Sequence, residues 1–280
     1  PTKPSAFQGT GEALEKALPF SFYQSLSGVN ELMADRVEVN YDLDNNEDAF
    51  SDFKPTQEQK EQVAARLRDD AKFARLKAQN DYTPNPETTG QAAMMIHGLT
   101  GSLAKAIGYT VATGGSGILA APLFGADLGL YEAGKLRDKG VDASTAKTAG
   151  AITGAVNTVG MALPGAIGTS YLKSMLFGGA VNPLTDISEQ ASIKFVLDNA
   201  NYSKQAQEYD PFDPVNLGVS AGMGIAFGAL GARANRAQAR YEAAEAAAQP
   251  STPQTSEGHA APNTNMNKSV LDSIQNRDRS

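Results

Sequence analysis

Residues 121–165 read APLFGADLGLYEAGKLRDKGVDASTAKTAGAITGAVNTVGMALPG. Ala121, Gly125, Gly129 and Ala133 recur every four residues, and so do Gly150, Gly154 and Thr158. Residues four apart share one face of a helix, and a ridge of small residues lets another helix backbone come close. Between the two ridges stands Lys139-Gly140-Val141-Asp142. It supplies a left-handed glycine stop, an apolar follower and a side-chain cap for the next helix. The stretch therefore predicts an αα-hairpin: one helix from about Ile118 or Pro122 to Lys139, and another over Ala143–Ala162 that Pro164 ends or kinks.

The same reading extends outward. Asn85-Pro86-Glu87 predicts a helix start, with that helix running to about Thr113. Gly114-Gly115-Ser116-Gly117 then forms a turn or hinge; with no preceding strand and no Gly-Lys pair, it is not a phosphate-binding loop. Further on, a short apolar helix is expected over Gly165–Phe177, closed by Gly178-Gly179. Asn182-Pro183 punctuates. An amphipathic helix capped by Asp186 runs to about Asn199, with Ile187, Ala191, Phe195 and Val196 inward. Asp213-Pro214 opens a last helix to about Ala247, whose first half carries Gly218 and Gly222 on one ridge and Gly224 and Gly228 on another.

Upstream, Thr56 and Gln59 form a capping box, followed by an apolar stripe of Val63, Leu67, Ala71, Ala74 and Ala78. Glu12–Ala17 and Phe20–Asp35 read as two helices broken at Pro19. Val37–Tyr41 reads as extended, and Asp42–Asp48 as a solvated acidic loop; Glu47 and Phe53 stand where a calcium loop needs Gly and Glu. Pro1–Thr10 reads as a disordered arm. No sustained β-alternation occurs. The fold class is all-α, with Gly/Ala-rich αα-hairpins, a long C-terminal helix and disordered termini. Its parts are a charged helical region (1–83), a hairpin domain (84–248) and a tail (249–280).

Composition narrows the chemistry. The chain has 280 residues, no Cys and two His, His97 and His259. Thiolate chemistry and disulfides are absent, and neither a metal centre nor a cofactor site is expected. The net charge of −7 argues against a basic nucleic-acid-coating face. His97 on an apolar helix reads as a satisfied helix-contact histidine, and Asp127 as a buried paired acid or a pore-lining one. No carboxylate pair is singled out for acid–base work, so no catalytic residue is assigned. The chain opens on Pro1 without Met or a visible secretory signal, which reads as a processed product or part of something longer.

Charge is unevenly placed. Residues 97–232 carry 8 basic and 10 acidic side chains, against 10 and 16 in residues 1–96. Ala106–Ala126, Thr148–Tyr171 (extending to Leu172) and Pro214–Ala232 carry none. Each is about as long as one membrane crossing, yet rich in Gly, Ala, Ser and Thr rather than Leu or Ile. Tyr109, Tyr131 and Tyr171 flank these stretches, and Arg233, Arg236 and Arg240 follow the last, as interfacial and cytoplasmic-side anchors would.

GVDASTAKTAGAITGAVNTVGMALPG (Gly140–Gly165) and YDPFDPVNLGVSAGMGIAFGALGA (Tyr209–Ala232) resemble segments of the large polyvalent and internal virion proteins of tailed bacteriophages, over roughly residues 84–232. The transglycosylase Glu carried by some members has no counterpart here. The resemblance implies a non-enzymatic α-helical ejection protein. It would be stored in the virion and released into the host envelope, where it would help form a channel through which DNA passes. Copies of itself, other ejection proteins and host lipids are the partners implied. Gly125, Gly129, Gly150, Gly154, Gly218, Gly222, Gly224 and Gly228 are the expected assembly residues, and Gly114, Gly115, Gly117, Gly140 and Pro164 the hinges. A soluble head–tail adaptor and a pore-forming toxin or translocator are the alternatives.

Overall fold

A computed structural model describes residues 3–43, 56–165 and 170–248. Among these residues the fold is all-α, with no strand. Eight helices follow one another: α1 (Thr10–Leu43), α2 (Gln57–Asp81), α3 (Gln91–Ala112), α4 (Gly117–Asp138), α5 (Ala143–Gly165), α6 (Tyr171–Asn199), α7 (Ser203–Ala206) and α8 (Pro214–Ala248). Contacts divide the chain at Arg240. In the second unit the described residues are the last two turns of α8, Tyr241–Ala248; the expected disordered tail, 249–280, lies outside the described residues.

The hairpin turn forms as its residues dictate. Gly140 adopts φ +82°, Val141 N donates back to Leu136 O at 3.1 Å, and Asp142 Oδ1 accepts from Ser144 N and Thr145 N at 3.0 Å each. α4 and α5 then meet backbone to backbone. A Cβ at Gly125 would collide with Gly154 O and the Thr158 hydroxyl, and one at Gly129 with Gly150 O. α4 is also the hub, since α1, α2 and α3 all contact it.

Two apolar clusters cap this pair. One joins Leu136, Val141, Ala149, Ile193, Leu197 and Tyr209. The other joins Ala106, Ala121, Phe124, Met161, Met223 and Phe227. On the α1–α2 side, the interior is ionic. Arg75 and Glu31, each with 2% of its side chain exposed, pair at 2.8 Å. Arg75 also makes a fork to Asp138 (2.7 and 3.0 Å) and bonds Ser27, while Arg137 reaches the other oxygen of Glu31 at 2.7 Å. Gly134 makes the room, because a Cβ there would strike the Arg75 guanidinium.

Several helix boundaries differ from the sequence expectation. α1 is continuous through Pro19 and through residues 37–43, with no extended piece. Ala13, Ala17, Ser21, Ser27, Glu31 and Ala34 are buried on both sides of the proline, and Ser21 Oγ donates to Leu18 O nearby. Burial of one continuous face outweighs the roughly 3 kcal/mol proline penalty. Arg68 holds the later turns through Asp35 and Glu38. Residues 44–48 of the expected acidic loop lie outside the described residues.

Asn85–Glu87 makes one isolated turn, with Glu87 N donating to Asn85 Oδ1, and α3 starts only at Gln91. The break sits at Gly90, whose N–H donates to Gln8 O at 2.9 Å and where a Cβ would collide with Ser5 O and Ala6 O. The N-terminal residues 3–9 thus have a docking point on α3.

α6 replaces two expected helices. It runs through Gly178-Gly179 and Pro183 without a stop, because α8 lies against those glycines: a Cβ at Gly224 would hit Gly178 O, and one at Gly179 would stand 3.0 Å from Ile225. Buried Asn182 bridges Gly160 O (3.0 Å) and Gly224 N (3.1 Å). The register shifts in consequence. Ile193 and Leu197 are buried, whereas Phe195, expected inward, is 67% exposed. In α2 the buried residues are Ala64, Ala71, Ala74, Arg75 and Ala78, so Val63 falls off the stripe. α5 passes Pro164 and ends at Gly165.

Gly150→Ala should lower the urea midpoint, by about 1–3 kcal/mol of stability, because its Cβ would meet Gly129 O and the Ala133 methyl. Gly108→Ala, where nothing lies within 4 Å of the new methyl, should raise it by about 0.5–1 kcal/mol. Equal midpoints for the two variants would remove the α4–α5 contact as the stabilising feature.

Candidate functional site

The three uncharged stretches converge. The turn after α3 is made by Gly114 (φ +68°) and Gly115 (φ +90°). Ser116 caps α4 by accepting from Leu119 N. Gly117, expected in the turn, opens α4 with no positive φ. The α4–α5 pairing is antiparallel, Gly125 facing Thr158 and Gly129 facing Gly150, so the end of α5 lies beside the α3–α4 turn. α6 begins at that same end, and α8 crosses it, with Gly228 against Ser174.

This end is an apolar pole. Ile118 is 79% exposed and Val111 73%, with Ile107, Leu119 and Leu123 exposed beside them and Leu172 and Leu176 exposed on α6. Acids are missing over long spans here: none between Glu87 and Asp127, Asp142 and Asp186, or Asp213 and Glu242. Asp127 itself is buried and paired with Lys105 at 2.8 Å. Its second partner is Ser25, at 2.9 Å. Among the described residues, Lys173, Arg233 and Arg236 are exposed at this end. Arg236 lies 4.1 Å from the Tyr171 ring centroid. Exposed large apolar side chains gathered in one region mark an interaction surface.

The eight glycines of these ridges all meet other helices of the same chain. Gly125 and Gly129 face Gly150 and Gly154, Gly218 and Gly222 face Met95 and Leu99 of α3, and Gly224 and Gly228 face α6. The three tyrosines do not form one belt. Tyr171 is at the pole and Tyr109 at the edge of its cluster, but Tyr131 is buried in α4, about 20 Å along the helix from Ile118. Arg240 is exposed on α8 beyond the other two arginines. His97 is buried, with Nε2 3.0 Å from Tyr82 O and an edge contact to Phe20; burial pushes its pKa down. Among the described helices, one segment, Pro214–Glu245, is long and apolar enough to cross a membrane.

Sequence reading missed a second feature. Between the two apolar clusters lies a cavity of about 430 Å³, lined by Glu132 and Lys135 of α4, Thr153 and Asn157 of α5, Asp186 and Glu189 of α6, and Ser220 of α8. Asp186 was expected as a helix cap. With α6 continuous it becomes a mid-helix acid one turn before Glu189, on the same face. That i, i+3 pair of acids was the available signal. Asn157 Nδ2 donates to Glu189 Oε2 at 3.0 Å, and Glu132 is occupied by Lys135 at 2.7 Å and by the Tyr209 hydroxyl. Burial, with Asp186 and Glu132 nearby, raises the Glu189 pKa to about 8. Burial raises that of Asp186 as well. Among the described residues no group of three or more His, Asp or Glu side chains is placed to hold a metal ion.

Comparison with protein-family models, curated proteins and solved structures finds no match.

The Glu189 shift has a signed consequence. Between its ordinary value of 4.5 and about 8, the folded carboxyl keeps a proton that the unfolded chain has released. The stability this confers is complete below 4.5 and is lost as pH rises through about 8. The urea midpoint should therefore fall from pH 6 to pH 9, and Glu189→Gln should flatten that fall. An unchanged slope in the variant would assign the titration to another group.

Proposed function

We propose that this chain is a non-enzymatic, membrane-active helical protein whose uncharged pole docks on and enters a lipid bilayer. The observation that carries the reading is the convergence of three acid-free helical segments on one end, with Val111, Ile118, Leu119, Leu172 and Leu176 exposed there and Lys173, Arg233 and Arg236 beside them. Each Lys or Arg near an anionic leaflet contributes about 1 kcal/mol of attraction, and the apolar side chains add the hydrophobic part. The Gly and Ala ridges then allow helices to exchange one close packing for another, inside the chain or between copies. α8 has the length to cross.

The resemblance of Gly140–Gly165 and Tyr209–Ala232 to phage internal virion proteins supplies the biological setting. In that setting the chain is carried in the virion, ejected into the host envelope, and joined by copies or other ejection proteins in a channel for DNA.

Flotation with vesicles, with and without one-third anionic lipid, tests the proposal, together with release of an entrapped dye. The wild-type chain should float with anionic vesicles and release dye at neutral pH. Ile118→Asp with Leu119→Asp should weaken flotation at least tenfold while leaving the helical circular dichroism intact. Lys173→Gln with Arg233→Gln should reduce its dependence on salt. Leakage only in acid would favour the toxin reading. An absence of flotation at every pH would overturn the proposal and make the pole a surface for a protein partner.

A further inference from the structure

We propose that the cavity between α4, α5, α6 and α8 binds a small organic cation, an alkylammonium carrying one or two amino groups, between Asp186 and Glu189. The cavity, about 430 Å³, is many times the roughly 30 Å³ that a water molecule occupies, so it suits a molecule rather than a bare ion. Its acids outnumber its cations. Lys135, the cation in its wall, is engaged by Glu132, and neither Asp186 nor Glu189 has a salt-bridge partner among the described residues. Asp213, just before α8, adds further negative charge near Asp186.

A second observation points to hydrogen-bond donors. The Thr153 hydroxyl, on a residue 6% exposed and beside Glu189, and Asp186 Oδ2, near Gln190 and Ser220, are both buried without a hydrogen bond of good geometry. Unsatisfied buried polar atoms are costly, and an ammonium group brings three donors and the missing charge together. Asn157 already supports Glu189 from the other side. Phe124 and Phe227, edge to face at 5.8 Å, line the same cavity and offer an apolar wall to an alkyl chain. The site stands whether or not the pole meets a bilayer.

Calorimetric titration of the full chain with 1,4-diaminobutane at pH 7, in phosphate and in MOPS, reads both affinity and proton release. Saturable binding should release about one proton, because an arriving ammonium ionises Glu189. The neutral isostere 1,4-butanediol should give no saturable heat. Glu189→Gln and Asp186→Asn should each weaken binding at least tenfold, and Glu189→Gln should abolish the proton release. Thr153→Val guards against variants that fail to fold: removing a buried hydroxyl that lacks a hydrogen bond of good geometry should raise the urea midpoint while lowering affinity severalfold. No saturation in the wild-type chain, equal binding of the diol, or full affinity in the folded carboxylate variants would each overturn the assignment.

Discussion

The backbone contact between α4 and α5 is the constraint on which the rest of the structure hangs. With Gly129 facing Gly150, and Gly125 facing Gly154 and Thr158, the contact leaves no room for a methyl group at Gly125, Gly129 or Gly150. Interior helix glycines each cost about 0.5–1 kcal/mol relative to alanine, so these positions are tolerable only where close approach returns more through dispersion contacts. Because α4 also touches α1, α2 and α3, its position fixes where the N-terminal helices can sit.

A core built this way is unusual in content. Alanines make up much of the buried apolar set, and Leu136, Ile193 and Leu197 are the large aliphatic side chains almost fully inside. Charged groups occupy places where bulky residues would ordinarily stand: Arg75 with Glu31 and Asp138, Lys105 with Asp127. Burial works against the Arg75 charge, but Asp138 and Glu31 more than offset it and its pKa rises. Such pairs add less net stability than an apolar filling would, yet breaking one strands the other charge, typically at about 3–5 kcal/mol. They therefore enforce which helix faces meet.

The same architecture sorts chemistry by position. Acid-free helix segments gather at the pole, and the carboxylate cavity lies between the two apolar clusters. The apolar end and the polar cavity are separate features of one chain, and each is open to an independent experiment.

Local chemistry was sufficient for part of this. The helical class, the Gly140 turn, the Thr56 capping box, the α4–α5 ridges and the uncharged stretches could be read from residues alone, because each depends on neighbours within a few positions. Other features depended on distant partners. Pro19 and Pro183 looked like breaks, but buried faces extending past them hold α1 and α6 together. Gly178-Gly179 looked like a stop, but it is where α8 lies. Asp186 looked like a cap, and only the continuity of α6 turns it toward Glu189. The sequence determined the helical class, the position of the Gly140 turn and where charge is absent. Tertiary packing decided where helices end, which way they face and which acids meet, because burial of a whole face outweighs the penalty of a single proline or glycine.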